Sequence, residues 1–246
     1  MNFLVCISRT PDTTSKIVFD ENSRKLKEDG LVFILNPYDE WFALVRAIEL
    51  KEKHGGSVDV LHIGSSAADV VIRKALAIGA DAAYRIDCVP DSSYEVAKYI
   101  SDFAKSKSYD LILLGKETID HNGSETASMV AEFMDYPFIS YCNKLELDGT
   151  KARVSREIEG GVEVAELELP FVLSAAKGLA EQRIPNMKGI MEAKNKPLTV
   201  LTVPKENSSL ELIKFELPSA KSGVQMIAAD DMDTLVRILH EEAKVI

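Results

Sequence analysis

The chain is poor in the residues that build metal centres and covalent frameworks, with three cysteines and four histidines in 246 residues. Cys6, Cys88 and Cys142 are too dispersed for a CxxC pair, and no disulfide framework can be read from their spacing, so a reducing compartment is the default. His54, His62, His121 and His240 offer no ligand pair, and HExxH, GxSxG and a Walker lysine loop are all missing. Metal-assisted and nucleophilic hydrolysis are thereby left without a constellation, which favours a protein that binds or carries over one that does acid–base chemistry. Positive charge is also scarce: 29 Lys plus Arg against 39 Asp plus Glu give a net charge of −10, which repels nucleic acid at long range. No apolar run approaches the roughly 18 residues of a membrane span, and residues 1–7 lack the leading positive charge of a signal peptide. A soluble, cytoplasmic globular protein is expected, since 46% hydrophobic and 28% charged residues exclude disorder, collagen and coiled coil.

Residues 3–7 (FLVCI), 58–63 (VDVLHI) and 110–114 (DLILL) are short aliphatic runs of the kind buried on both faces of a parallel sheet. Helical patterns separate them. Residues 38–54 put Trp41, Leu44, Val45 and Ile48 on one face and stop at Gly55-Gly56. Residues 66–78 predict a second helix with Val70, Val71 and Leu76 inward. Ser92 and Glu95 have capping-box spacing and open a third, with Val96, Tyr99, Ile100 and Phe103 in a stripe; a fourth runs from 124 to 134. Strands alternating with helices predict an α/β fold of βαβ units. After Pro137, residues 144–147, 153–158 and 162–169 read as a β-meander joined by Asp148-Gly149 and Gly160-Gly161 turns, with Val164, Leu167 and Leu169 inward. Residues 177–189 predict a long polar loop, 197–229 lack a core pattern, and Asp231 caps a last helix with Leu235, Ile238 and Leu239 inward. A tail so short of its own core calls for a partner chain.

Three segments could carry function. Gly115-Lys116-Glu117-Thr118-Ile119-Asp120-His121-Asn122-Gly123-Ser124-Glu125-Thr126 leaves a buried strand and enters a helix, where free N–H groups can hold a phosphate. Lys116, Ser124 and Thr126 could add hydrogen bonds, whereas Asp120 and Glu125 oppose an anion. The plainer alternative is that Asn122 or Ser124 merely caps the helix. Asn36-Pro37-Tyr38-Asp39 is a stiff corner before the first helix, either a binding element or an ordinary acidic helix start. Gly64-Ser65-Ser66 is a small-residue turn without a GxGxxG fingerprint, and His62 reads as a satisfied core residue.

Taken in order, these segments resemble the electron transfer flavoprotein β-subunit family along nearly the whole chain. Ser8-Arg9-Thr10-Pro11-Asp12 resembles its opening Lys-Arg-Val-Pro-Asp, and Asn36-Pro37-Tyr38-Asp39-Glu40 its Asn-Pro-Phe-Asp-Glu. Arg73 with Ala75-Leu76-Ala77-Ile78-Gly79-Ala80-Asp81 matches Arg-x-Ala-Leu-Ala-x-Gly-Ala-Asp. Arg156-Glu157-Ile158-Glu159-Gly160-Gly161-x-Glu163, then Pro170, is similar to the signature segment, and Pro185-Asn186 with Ile190-Met191-x-Ala193-Lys194 to its Leu-Pro-Asn-Ile-Met-Lys-Ala-Lys stretch. The chain departs at Ser8, where lysine is usual, at Ala165, in the loop after Asp120, and at Lys177-Gly178-Leu179-Ala180.

The resemblance implies a Rossmann-like sheet of the adenine nucleotide α-hydrolase type over residues 1–190, and a C-terminal arm, 191–246, that packs on an α-subunit. It implies an electron carrier without catalytic residues of its own. Such a heterodimer takes electrons from acyl-CoA and other dehydrogenases of fatty acid β-oxidation and passes them to a quinone oxidoreductase. The FAD is held mainly by the α-subunit, and a structural AMP lies in the β-subunit. By position, Cys6, Asn36, Pro37, Tyr38, Asp39, Ile63 and the stretch Gly115 to Thr126 surround AMP, Thr13 and Tyr38 lie toward the flavin, and Leu179 is the exposed anchor for the dehydrogenase. Two rivals stay open. One is a bifurcating flavoprotein with a second FAD in place of AMP and NADH as donor, whose members carry Val and Pro where this chain has Thr126 and Ser128. The other is a lone adenine-nucleotide sensor or hydrolase on the same scaffold.

Overall fold

The computed structural model describes residues 1–20, 22, 24–204, 210–220 and 223–246. The first apolar run forms β1 (Asn2–Cys6), and an antiparallel pair, β2 (Arg9–Pro11) and β3 (Phe33–Leu35), leads to α1 (Asp39–His54). There follow β4 (Ser57–Ile63), α2 (Asp69–Ile78), β5 (Ala82–Ile86), α3 (Ser93–Lys105), β6 (Leu111–Gly115) and α4 (Thr126–Met134). The second half supplies β7 (Phe138–Asp148), β8 (Lys151–Ile158), β9 (Gly161–Glu168), β10 (Phe171–Ala175), α5 (Met187–Ala193), β11 (Leu198–Leu201) and α6 (Met232–Arg237).

Nine strands form one sheet in the order β11-β5-β4-β1-β6-β10-β7-β8-β9. The pairs from β11 to β7 are parallel and the last two antiparallel, so the fold is the expected α/β arrangement of a mostly parallel sheet with flanking helices. Strand alternation divides the core into two layers. Phe3 and Val5, Leu111 and Leu113, and Phe171 and Leu173 point to the layer filled from α1 and α2, while Leu4 and Cys6, Ile112 and Leu114, and Val172 point to that filled from α3 and α4. Both faces are covered, which is why these strands read as unbroken aliphatic runs.

Local chemistry sets the helix ends. Ser92 Oγ accepts from Glu95 N at 3.2 Å, while the Glu95 carboxylate accepts from Asp91 N at 3.1 Å, one residue short of a reciprocal box. The helices α2 and α5 cap one another. Arg73 donates to the Ala193 and Lys196 carbonyls at 2.8 and 2.6 Å, and Lys196 returns bonds to Leu76 and Ala80 carbonyls at 3.0 and 2.6 Å, neutralising carbonyls left over at each C-terminus. A Cβ on Gly189 would sit 2.4 Å from the Ala77 carbonyl oxygen, so glycine sets how closely α5 approaches α2.

Several expectations are corrected. Val70 is 79% exposed, because a 3₁₀ turn (Ser66–Ala68) precedes α2 and shifts its apolar face to Val71, Ile72, Ala75 and Leu76. In β9 it is Ala165 and Leu167, with Leu169 beyond it, that meet the core, while Val164 faces outward. The strand β10, fully buried between β6 and β7, occupies residues between the meander and the polar loop to which the sequence pattern assigns no element. The boundary at residue 190 falls inside α5, and β11 beyond it is the edge strand paired with β5. The last helix, α6, has no buried residue, with Leu235, Ile238 and Leu239 partly covered. No helix among the described residues is long and apolar enough to cross a membrane.

Candidate functional site

The chain reverses direction across the sheet at β1. It steps outward to β4 and β5 on one side, then crosses back to place β6 on the other. The crevice beyond the carboxyl ends of strands at such a switch point is the usual ligand position in open α/β sheets. A cleft of 460 Å³ lies there, lined by Cys6 and Ile63 at the ends of β1 and β4, by Gly115 at the end of β6, and by the loop into α4. Leu61, Val96, Ile100 and Leu114 supply an apolar wall, and Pro90 to Ser93 close a side from the start of α3. A larger, 740 Å³ hollow between α1 and the meander is lined by alternating acids and bases and holds none of the expected site residues.

The loop from Gly115 to Thr126 is shaped from below. Gly115 must be glycine, since a Cβ would lie 2.8 Å from Glu40 Cγ and 3.1 Å from the Glu40 backbone N. Buried Asn36 braces the loop at two points, donating to the Glu117 carbonyl and accepting from Ile119 N, each at 3.0 Å. Asn122 and Ser124 have φ of 49° and 53°, left-handed conformations on either side of Gly123, and the Asn122 N–H donates to the Thr118 carbonyl at 2.9 Å. Neither residue caps α4. Its N-cap is Glu125, with no side-chain acceptor on the first-turn N–H groups, and the Ser124 hydroxyl donates instead to Glu117 at 3.0 Å. The capping alternative therefore fails, and the donors at the start of α4 are left for another acceptor. Lys116 is committed as well, with its ammonium 3.2 Å from Glu117.

The floor is acidic. Glu40 is 5% exposed and accepts from Ser8 N at 2.6 Å and Ser8 Oγ at 2.7 Å. Burial, reinforced by Asp120 and Asp39, raises its pKa to about 8 in spite of those two bonds. Burial likewise raises Asp39 to about 6, opposed by Lys116. The Cys6 thiol is driven up by burial, and His62 is pushed down by burial while its Nδ1 sits 2.9 Å from the Ile7 carbonyl, as a satisfied core histidine should be.

Most expected nucleotide residues line the cleft: Cys6, Ile63, Gly115, Lys116, Glu117, Thr118, Asp120, His121, Gly123, Ser124, Glu125 and Thr126. Asn36 and Ile119 act beneath it as the brace. Pro37, Tyr38, Asp39 and Asn122 do not reach the lining. Tyr38 instead stands 60% exposed at a φ of 64°, and Thr13 is exposed too, so both are open to a second molecule. Leu179 contradicts its assignment. It is 4% exposed within the core because the turn at Gly178, φ 103°, folds it inward. The exposed large apolar side chains of that region are Ile184, Met187, Ile190 and Met191. Sequence reasoning missed Ser8, Glu40 and the Pro90–Ser93 wall, although the rule placing ligands beyond strand ends pointed to the turn after β5. It also missed Leu210, which lines the cleft from the C-terminal segment. That segment is held by Phe215 stacked on Phe19 at 4.9 Å and by Arg24 donating to the Ile213 carbonyl at 3.2 Å.

Comparison with known proteins agrees with this architecture. Residues 24–206 match the family model described as electron transfer flavoprotein domain. The chain is 38% identical over its whole length and that of the electron transfer flavoprotein subunit beta of Bacillus subtilis. It is 35% identical to the subunit of that name from Thermoanaerobacterium thermosaccharolyticum, covering 95% of this chain and 89% of the relative. With the human electron transfer flavoprotein subunit beta it shares 32% identity over 94% of this chain and 95% of the relative. With its parallel sheet and its cleft at the switch point, the chain belongs to the electron transfer flavoprotein β-subunit family.

Proposed function

We propose that this chain is one half of a heterodimeric electron carrier. It holds AMP in the cleft beyond β1, β4 and β6 and leans against the FAD of an α-subunit. The observation that carries the reading is the loop into α4, where two left-handed residues and a helix start without a side-chain cap border the cleft, a setting in which backbone N–H groups can meet an anion. A phosphate is the acceptor that suits such donors in a chain of net charge −10, because backbone dipoles attract an anion without any net positive charge. The apolar wall of Leu61, Val96, Ile100 and Leu114 suits a base, and 460 Å³ lies in the lower part of the range for small-molecule sites, in keeping with one mononucleotide.

FAD, when bound with the α-subunit, supplies the redox chemistry, accepting electrons from a dehydrogenase and releasing them to a quinone oxidoreductase. This chain's contribution is position. Exposed Tyr38 and Thr13 are offered to the flavin side, and the half-covered face of α6 is offered to the α-subunit. The loop beyond β10 presents Ile184 and Met187 to a transient dehydrogenase, in place of the buried Leu179. All three cysteines are free, in keeping with a cytoplasmic setting. The test is to co-express the chain with its α-subunit and follow the flavin spectrum. A stable complex whose flavin is reduced by an acyl-CoA dehydrogenase and reoxidised by a quinone acceptor supports the reading, and a solitary chain that leaves the α-subunit's flavin unaffected rejects it.

A further inference from the structure

Glu40 is a buried carboxyl on the wall of the cleft, and no cation among the described residues is paired with it. The charges that act on it are acids, Asp39 beside it on α1 and Asp120 from the loop after β6. The cations around this corner are committed elsewhere. Arg9, beyond β1, is paired with Glu28 at 2.8 Å, and Lys116, after β6, with Glu117 at 3.2 Å. Of the other titratable groups, Cys6 is a buried thiol and His62 on β4 is bonded to the Ile7 carbonyl. What holds Glu40 is Ser8, through one backbone and one hydroxyl bond, while the bare Gly115 lets α1 bring the carboxyl against β6.

A nucleotide phosphate in this cleft brings further negative charge to a wall that already carries Glu40 and Asp120. We propose that Glu40 is a positioning residue that takes up a proton when an anionic mononucleotide enters, so that nucleotide affinity and the protonation of this one carboxyl are coupled. The inference rests on the nucleotide reading above. Its chemistry balances simply: AMP and one proton from solvent enter together, the proton resides on the Glu40 carboxyl, and the Ser8 N–H continues to be accepted by the other oxygen. The pKa of about 8 without ligand places the coupling in the mildly alkaline range. An added anion raises it further, since a nearby like charge disfavours the ionised carboxyl.

The experiment uses the heterodimer stripped of nucleotide and AMP as the probe. Binding is followed by calorimetry from pH 7.5 to 9.5 in two buffers of different ionisation heat. Across this range the phosphate is fully ionised, its second pKa being about 6, so proton uptake reports on the protein. The proposal expects uptake approaching one proton per AMP near pH 9 and affinity falling about ten-fold per pH unit beyond the ligand-free pKa. Glu40→Gln, which keeps the shape and the neutral state, should flatten the pH profile and abolish uptake, whereas Asp39→Asn, which removes one of the two acids acting on Glu40, should keep the uptake and move the profile to lower pH. Ser8→Lys, which sets an ammonium beside the carboxylate and keeps it ionised, should abolish uptake even if the glutamine variant folds poorly. A flat affinity without uptake in the unaltered protein overturns the proposal, as does an unchanged profile in Glu40→Gln. AMP failing to bind at every pH removes the nucleotide reading together with it, so the two failures are distinguishable.

Discussion

Leu179→Ala separates two roles that the sequence alone confuses. The residue lies in a loop expected to meet a partner, yet its side chain is 4% exposed and belongs to the core beneath α1. Truncation deletes three buried carbons and leaves a cavity that a turn pinned at Gly178 closes only in part. Leu→Ala changes at such sites cost about 2–5 kcal/mol, and 1 kcal/mol moves Tm by roughly 2–4 °C in a chain of this size. A fall of roughly 5–15 °C is the expected outcome. Ile184→Ala, by contrast, alters a side chain 79% exposed and should shift stability by less than about 0.5 kcal/mol while slowing dehydrogenase-dependent flavin reduction. Calorimetric unfolding of the heterodimer and donor-dependent reduction rates are measured on both variants. Leu179→Ala with an unchanged Tm and a slowed reduction would refute the reasoning and return the anchor to Leu179.

Other consequences are equally checkable. Asn36→Ala removes both braces of the loop, leaving Glu117 O and Ile119 N unpartnered at a cost of about 1–3 kcal/mol, and should raise the AMP dissociation rate measured by filter release. Gly115→Ala forces a Cβ against the start of α1 and should lower both Tm and AMP content, since part of what it meets is backbone. Glu40→Gln should also change how stability depends on pH. The folded pKa of about 8 exceeds the ordinary glutamate value, so above that value the native state holds a proton that the unfolded chain has released. The unaltered protein therefore loses stability from this group as pH rises from about 4.5 to about 8, at up to about 1.4 kcal/mol per pH unit. Urea midpoints should show the glutamine variant gaining on the parent across that interval and then running parallel to it. Lys196→Ala should uncap α2 and lower Tm, loosening α5 where its Gly189 packs on the Ala77 carbonyl of α2, with flavin reduction intact.

The doubly wound sheet was legible because burial on both faces leaves a plain signature: 3–7, 58–63 and 110–114 could hardly be anything but central strands. Edge strands were not. β11 is half exposed and follows a polar loop, so its pairing with β5 shows only once α5 has carried the chain back across α2. Val70 was misplaced because a 3₁₀ turn advances the chain differently from an α-turn before the helix begins. Within the site, the loop of residues 115–126 was legible from its glycines and its place between strand and helix, but the role of Ser124 was not. Its bond to Glu117 depends on left-handed backbone that no spacing rule reveals. Glu40 carries no site signal of its own in the sequence, and its place in the cleft shows only once Ser8, beyond β1, is seen to donate to it. Leu179 shows the converse error, because position in a polar loop does not determine which way a side chain turns.

The most direct test of the account is the nucleotide content of the co-expressed heterodimer, released by denaturation and identified by mass. One FAD and one AMP per heterodimer are predicted. Two FAD without AMP would make the cleft a second flavin site, and a complex containing no adenine nucleotide beyond the α-subunit's FAD would contradict the assignment of the loop into α4.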